Sequence, residues 1–257
     1  MESEDDWANA SSLAGRSCTV GTTAPIKRRR VKGKQPIERH LSMLPGHEQC
    51  NLAFEAWRML QCFQVPDIFF HILAIMNICG SFRNASDLDC VEWFCGQREI
   101  THAAQRAGFD AVGYDYDQDN QRQNMNTPIG MIVALQWARR LRKLLESLGW
   151  FGTVCSSWIF LCRGTSKRTV YRPLGDTNIF VVREGNRMTA RSALLIAYLY
   201  STGVTWCLEQ PASSLMICFE PMKLVMTVAQ QLGLPCLEAT LCMGADDARN
   251  REAVNTL

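Results

Sequence analysis

Gly96 and Asp115 have the residue types and the spacing of a nucleotide-binding site. Gly96 lies in the turn Cys95-Gly96-Gln97, where the missing Cβ lets the backbone approach a ligand. Asp115 follows an apolar run, and a carboxylate at a strand end can accept hydrogen bonds from both ribose hydroxyls. The two residues are 19 positions apart, close to the roughly 20 typical of nucleotide folds. The alternative is that Asp115 is an ordinary loop acid or a helix cap.

Three predicted elements position this pair. The run from Cys90 to Phe94 predicts a strand, and a helical pattern follows from Glu99 to Ala107, with Gly108 placed as its C-terminal cap. A second strand is predicted from Ala111 to Asp115. Strand, glycine turn, helix and acid-ended strand together indicate a βαβ unit.

The same alternation continues along the chain. It predicts an α/β domain over residues 87–245, a Rossmann-like and mostly parallel sheet with helices on both faces. Ligands of such sheets bind at the carboxyl ends of the strands. The further predicted elements are a helix from Met131 to Leu148, a strand from Thr153 to Cys155, a helix from Thr189 to Tyr200, a strand from Val204 to Glu209, a helix from Pro221 to Leu232 and a strand from Leu237 to Cys242.

Two further regions precede this domain. Residues 1–46 lack apolar periodicity and are rich in Ser, Thr and charge, which predicts a disordered tail. Helical spacing from about Glu48 to Phe63 and an apolar run from Ile68 to Cys79 predict a helical extension over residues 47–86. That apolar run is too short to cross a bilayer, so no membrane partner is expected. Residues 246–257 are predicted to form a C-terminal tail.

Charge and cysteine content limit the partners, metal sites and cellular locations that can be expected for this chain. With Lys+Arg 27 and Asp+Glu 25, the net charge of +2 does not indicate a nucleic-acid partner. The local basic run from Lys27 to Lys34 suits a nuclear-import receptor or a phosphate backbone, and a solvated charge run is the alternative. The acidic start is unlike a signal peptide and predicts an intracellular chain with reduced thiols; the basic run adds the nucleus as an expected location. The 12 cysteines lack the paired spacing of zinc ligands, so no metal is expected.

Three segments, residues 91–115, Val154 to Trp158 and Leu208 to Pro211, resemble motifs of the cytosine-C5 DNA methyltransferases and their phage-like relatives. The segment VEWFCGQREITHAAQRAGFDAVGYD, residues 91–115, resembles their opening strand, Phe-x-Gly turn, helix and acid-ended strand. Val154-Cys155-Ser156-Ser157-Trp158 resembles their Pro-Cys loop, and Leu208-Glu209-Gln210-Pro211 resembles their Glu-Asn motif. The resemblance covers residues 89 to about 243 in the family's motif order. It implies an S-adenosylmethionine-dependent methyltransferase domain that acts on nucleic acid.

The resemblance also implies roles for individual residues. S-adenosylmethionine would lie across Phe94, Cys95, Gly96 and Asp115. Cytosine carbon 5 becomes nucleophilic when a thiolate adds to carbon 6 and a carboxyl group assists at N3. Cys155 would supply the thiolate and Glu209 the carboxyl group, with the base flipped out of a duplex. The predicted phosphate ligands beside this site are Arg163, Arg168 and Arg172.

Departures from the family pattern support a second hypothesis. Gln97-Arg98 stands where a second glycine is usual, Val154 replaces proline, and Gln210 replaces asparagine. After Met243-Gly244 no target-recognition segment is recognisable. The alternative is therefore a catalytically inactive nucleic-acid-binding or scaffold protein that retains the methyltransferase fold. A Rossmann dehydrogenase is disfavoured because the first turn lacks the G-x-G-x-x-G glycines.

Overall fold

Four short parallel strands form one sheet in the order β2-β1-β3-β4. They are β1 (Cys90–Trp93), β2 (Ala111–Tyr114), β3 (Leu148–Phe151) and β4 (Thr205–Leu208). The structure is a computed structural model that describes residues 47–78, 87–142 and 147–240, with side chains from residue 55 onward. The predicted tails, including the basic run from Lys27 to Lys34, lie outside these residues.

Helices flank the sheet, and the predicted Rossmann-like α/β fold is confirmed. The helices are α1 (His47–Cys62), α2 (Asp67–Ile78), α3 (Glu99–Arg106), α4 (Pro128–Arg140), α5 (Arg163–Ser166), α6 (Phe180–Ser201) and α7 (Glu220–Gln231). Short 3-10 turns occupy Phe160–Cys162 and Met216–Cys218. As predicted, α3 ends just before Gly108, whose φ of 86° is left-handed and whose N–H donates to the Gln105 carbonyl at 3.0 Å.

The core is built where β1 and β3 meet α6. Trp93 of β1 stacks on Phe151 of β3 with ring centroids 4.6 Å apart. Leu199 of α6 packs so closely on β3 that a Cβ at Gly149 would lie 2.5 Å from its Cδ1. Glycine at position 149 therefore lets the longest helix lie directly against the sheet.

The two N-terminal helices pack on this same core. Phe63, just after α1, stacks on Tyr200 of α6 with centroids 5.8 Å apart, and Phe69 of α2 meets Tyr198 edge-on at 6.5 Å. The predicted helical extension thus shares apolar packing with the α/β domain. In the three described ranges no helix is both long and apolar enough to cross a bilayer.

Two predicted elements are wrong around β3. The helix predicted to reach Leu148 ends at Arg140, whose carbonyl oxygen accepts hydrogen bonds from the backbone N–H groups of Asp87 and Leu88. Leu141 then pairs with Leu88 in a parallel bridge, which draws the chain into an extended conformation. The strand predicted from Thr153 to Cys155 is a loop, because Leu148 to Phe151 occupy the sheet position between β1 and β4.

The last predicted strand, from Leu237 to Cys242, is also not found in its described part. Residues 237–240 have no regular secondary structure and pair with no strand, and Leu237 is 96% exposed. An isolated exposed segment lacks both the ladder partner and the buried face that stabilise a strand. Residues 241 and 242 lie outside the described ranges.

Candidate functional site

The carboxyl ends of all four strands lie at one level of the sheet. Trp93 pairs in register with Tyr114 on one side and Phe151 on the other, and Phe151 pairs with Leu208. From β1 the chain moves outward to β2, whereas from β3 it moves the opposite way to β4. The gap between β1 and β3 is therefore a topological switch point, where open α/β sheets bind ligands.

Gly96 and Asp115 are brought together at this edge. The Gly96 N–H donates to Oδ2 of Asp115 at 3.0 Å, while Oδ1 accepts from the Asp117 N–H at 3.0 Å. The Asp115 N–H donates to Oε1 of Gln123 at 2.9 Å, which fixes the backbone that carries the carboxylate. Gly96 has a left-handed φ of 45°, and no atom lies within 4 Å of the position that its Cβ would occupy. The Gly96 loop is thus fixed by its hydrogen bond to Asp115, and the space on the Cβ side of Gly96 is open.

The two residues before Gly96 hold the loop against β2. The N–H groups of Phe94 and Cys95 both donate to the Tyr114 carbonyl, at 2.7 and 3.2 Å. Phe94 has a φ of 62°, a conformation that costs a non-glycine residue on the order of 1 kcal/mol. Burial, reinforced by the Asp115 charge, raises the pKa of the Cys95 thiol to about 11. Cys95 therefore stays neutral at physiological pH and contributes packing and backbone to the loop.

Glu92 is a structural residue of this loop that the sequence analysis missed. It is 5% exposed in β1, and its Oε2 accepts hydrogen bonds from the N–H and the hydroxyl of Thr101 at 2.7 and 2.5 Å. Thr101 lies in the first turn of α3, whose N-cap residue Arg98 supplies no side-chain cap. A carboxylate from the neighbouring strand thus satisfies a helix N–H that would otherwise be unpaired. An acid inside a fully buried strand was the available signal.

Gly152 joins the loop after β3 to the loop after β1. Its N–H donates to the Trp93 carbonyl at 3.0 Å, and a Cβ at this position would lie 3.1 Å from the Phe94 carbonyl oxygen. Any larger residue would push these two loops apart. No sequence signal identified Gly152, because the strand was predicted to begin after it, at Thr153, whereas β3 ends before it at Phe151.

The predicted catalytic residues follow adjacent strands. The Glu209 N–H continues the β3–β4 ladder by donating to the Phe151 carbonyl at 3.0 Å, and the Glu209 side chain is exposed. Cys155 is half-buried in a turn after β3, where its carbonyl accepts from the N–H groups of Trp158 and Ile159 at 2.8 and 3.2 Å. The parallel sheet places both residues at the same edge, next to the switch point.

Gln210 links the loop of Cys155 to the loop of Glu209. Its Nε2 donates to the Thr153 carbonyl at 2.6 Å, and its Oε1 accepts from the Ser214 hydroxyl at 2.9 Å. A second connection is the hydrogen bond from the Leu215 N–H to the Trp158 carbonyl at 3.0 Å. Gln210 is therefore a bridge between the loop of Cys155 and the loop of Glu209.

Arg168 is buried, and this placement does not fit the predicted phosphate contact. It is 1% exposed, its guanidinium lies 3.4 Å from the centroid of the Trp158 ring, and in the described part of the chain no carboxylate pairs with it. Burial lowers its pKa to about 10, so it remains charged at neutral pH. Its donors are taken by oxygens of the protein itself: the carbonyl (2.9 Å) and hydroxyl (3.2 Å) of Ser157, the amide oxygen of Asn186 (2.8 Å), and the carbonyls of Val182 (3.2 Å), Leu174 (3.3 Å) and Pro173.

Arg163 and Arg172 lie nearer the surface. The guanidinium of Arg163 stacks over the ring of Phe160 at 4.6 Å from its centroid, and the residue is half-buried. Arg172 is exposed in a turn that Thr169 closes with backbone and hydroxyl hydrogen bonds. Their positions are compatible with the predicted phosphate contacts.

Among the described residues no group of three or more His, Cys, Asp or Glu is arranged to hold a metal ion. Comparisons with protein-family models, with curated proteins and with solved structures found no match.

Proposed function

We propose that this chain is an S-adenosylmethionine-dependent methyltransferase domain whose acceptor is cytosine carbon 5 in nucleic acid. The observation that carries the proposal is the bridge from Gln210 to Thr153, which ties the loop of Cys155 to the loop of Glu209 beside the switch point. A nucleophile and a carboxyl group from adjacent parallel strands can thus address one small substrate from the same edge.

The loop around Gly96 fits the cofactor. The carboxylate of Asp115 accepts one N–H on each oxygen, which leaves lone pairs for the two ribose hydroxyls. The space above Gly96 is open, so an adenosine can approach the backbone closely. When bound, the cofactor supplies an electrophilic methyl group.

The protein residues then act on the base. The thiolate of Cys155 forms a bond to carbon 6 while Glu209 donates a hydrogen bond or proton at N3, and the electron pair moves to carbon 5. As carbon 5 takes the methyl group, S-adenosylhomocysteine is the leaving group. The carbon 5 proton is then lost to a base or water, any proton given to N3 returns to Glu209, and the sulfur–carbon bond breaks, which restores the thiolate. Cys155 is consequently required for every turnover and for covalent capture of the base.

One observation favours the second candidate, a catalytically inactive nucleic-acid-binding scaffold. Asp115 satisfies the N–H groups of Gly96 and Asp117 within the protein, so the cofactor loop keeps its shape without a ligand. A domain with such a self-closed loop can persist after catalysis is lost.

Methyl transfer from isotopically labelled cofactor to cytosine-containing oligonucleotides separates the two candidates. The methyltransferase account expects Cys155→Ala to abolish transfer and to abolish covalent trapping on 5-fluorocytosine, while cofactor binding is kept. Cys162→Ala is the matched control, because this half-buried thiol lies seven positions further along the same loop. Methyl transfer that survives in Cys155→Ala would refute the assignment of Cys155 as the nucleophile. Absence of methyl transfer in the folded parent chain would favour the scaffold.

A further inference from the structure

The segment from Phe160 to Arg183 exposes three aromatic rings. Phe160 is 50% exposed, Phe180 is 66% exposed, and Tyr171 is 99% exposed. Large aromatic side chains are usually well buried, so three in one stretch of 24 residues are a notable concentration. All three lie between the loop of Cys155 and the first turn of α6.

Cations accompany these rings. Besides the contact of Arg163 with Phe160, the guanidinium of Arg183 lies 5.7 Å from the centroid of the Phe180 ring. Lys167 and Arg172 are exposed in the same segment, and Asp176 is its only acidic residue. The side chain of Asp176 is already engaged locally, since its Oδ1 accepts from the Asn178 N–H at 3.1 Å. The exposed surface of the segment is therefore both aromatic and positively charged.

Arg168 holds the segment in a defined shape. Its guanidinium joins the carbonyl of residue 157, just before the segment, to those of residues 173 and 174 in its middle and of residue 182 near its end. Gly175, with a φ of 67°, allows close packing at the same point, because a Cβ there would lie 2.6 Å from the Ser166 carbonyl oxygen. The backbone that carries the rings is consequently held in a defined shape, so that little backbone conformational entropy is lost when a ligand binds.

We infer that this aromatic-basic segment, Phe160 to Arg183, binds single-stranded nucleic acid next to the Cys155 loop. Base stacking on exposed aromatic rings, with cations that contact the phosphates, is how proteins hold unpaired strands without reading sequence. A duplex conceals its base faces and offers only phosphates to such a surface. The inference deepens the proposed function by naming an unpaired strand as the form of the acceptor, but the binding itself needs no cofactor.

Fluorescence anisotropy with labelled oligothymidine and oligouridine tests the inference in the absence of cofactor. Because Tyr171 is almost fully exposed, Tyr171→Ala removes a ring without disturbing the core. We expect it to weaken binding of the single strand by at least about fivefold, and the double variant with Phe180→Ala to weaken it further. Tyr171→Phe keeps the ring and should keep the affinity. The two oligonucleotides show whether DNA or RNA is preferred.

Phe109→Ala is the matched control, since Phe109 is 55% exposed but lies before β2, at the opposite edge of the sheet. Equal affinity of Tyr171→Ala and parent for single strands, or tighter binding of duplex than of single strands, would overturn the inference. Its failure is distinguishable from that of the proposed function. Cofactor binding without oligonucleotide binding would refute only the strand-binding inference. Ring-dependent oligonucleotide binding without cofactor binding would refute only the proposed methyltransferase.

Discussion

The side-chain amide of Gln210 donates to the backbone carbonyl of Thr153 at 2.6 Å, from the loop after one strand to the loop after its neighbour. The bond is made across the carboxyl edge of the sheet, where Cys155 and Glu209 emerge. The same contact yields the first prediction.

Gln210→Ala should loosen the loops of Cys155 and Glu209 with only a small loss of global stability. One hydrogen bond of this kind contributes about 1 kcal/mol to the free energy of unfolding. Hydrogen exchange should accelerate at the amides of Trp158 and Ser214, which the two loop turns protect. Gln231→Ala, an exposed change at the end of α7, serves as the control. Unchanged exchange in both loops would show that the bridge does not restrain them.

Glu92→Gln should destabilise the start of α3. The neutral amide is a weaker acceptor for the Thr101 N–H and hydroxyl, and impairing a buried hydrogen-bonded group costs about 1–3 kcal/mol. Denaturant unfolding measures the effect. Glu99→Gln is the comparison, because Glu99 is exposed in the first turn of the same helix and should change stability by no more than about 0.5 kcal/mol. Equal effects of the two changes would contradict a capping role for Glu92.

Arg168→Lys should be strongly destabilising although it keeps the charge. An ammonium group has three donors from one point and cannot reach the set of oxygens that the guanidinium fork satisfies. Because several buried acceptors would be left unpaired, we expect the free energy of unfolding to fall by on the order of 3 kcal/mol. Thermal and denaturant unfolding provide the measurement, with exposed Arg172→Lys as the control. A loss below about 0.5 kcal/mol would mean that Arg168 does not organise the segment.

Cysteine alkylation should depend on pH in a residue-specific way. With a pKa of about 11, only about one Cys95 thiol in a thousand is ionised at pH 8, so Cys95 should react slowly in the folded chain. The unfolded chain releases this proton near its ordinary value of 9.0, so this thiol lowers folding stability as pH rises from 9 towards 11. Exposed Cys62 is the reference thiol in mass-spectrometric labelling. Labelling of Cys95 at pH 8 as fast as that of Cys62 would contradict its burial.

Local sequence signals were sufficient for the first βαβ unit. The predicted strands from Cys90 to Phe94 and from Ala111 to Asp115, the helical pattern from Glu99 and the cap at Gly108 all agree with the observed elements within one or two residues. These elements are predictable because propensity, capping and burial favour the same conformation there. The spacing of Gly96 and Asp115 predicted a shared nucleotide site, which stays a prediction; in the structure a hydrogen bond joins the two residues.

Long-range pairing decided what the sequence could not reveal. Leucines at positions 141, 144, 145 and 148 continue a helical period, yet Leu141 pairs with Leu88 and Leu148 enters the sheet. Gly149 makes β3 hard to recognise from the sequence, because glycine is unfavourable in a strand. It is needed there for close packing against Leu199 on a helix distant in the sequence. The burial of Arg168 has the same origin: its acceptors come from residues spread over positions 157 to 186.

Isothermal titration of S-adenosylmethionine and S-adenosylhomocysteine into the purified chain tests the central claim most directly. We expect saturable binding of both, weakened at least about tenfold by Asp115→Ala, the loss that accompanies removal of hydrogen bonds worth about 1.4 kcal/mol. Asp117→Ala, an exposed change two positions further along the loop, should leave the affinity nearly unchanged. Folded protein that binds neither compound at millimolar concentration would contradict the cofactor site, and with it the proposed methyltransferase.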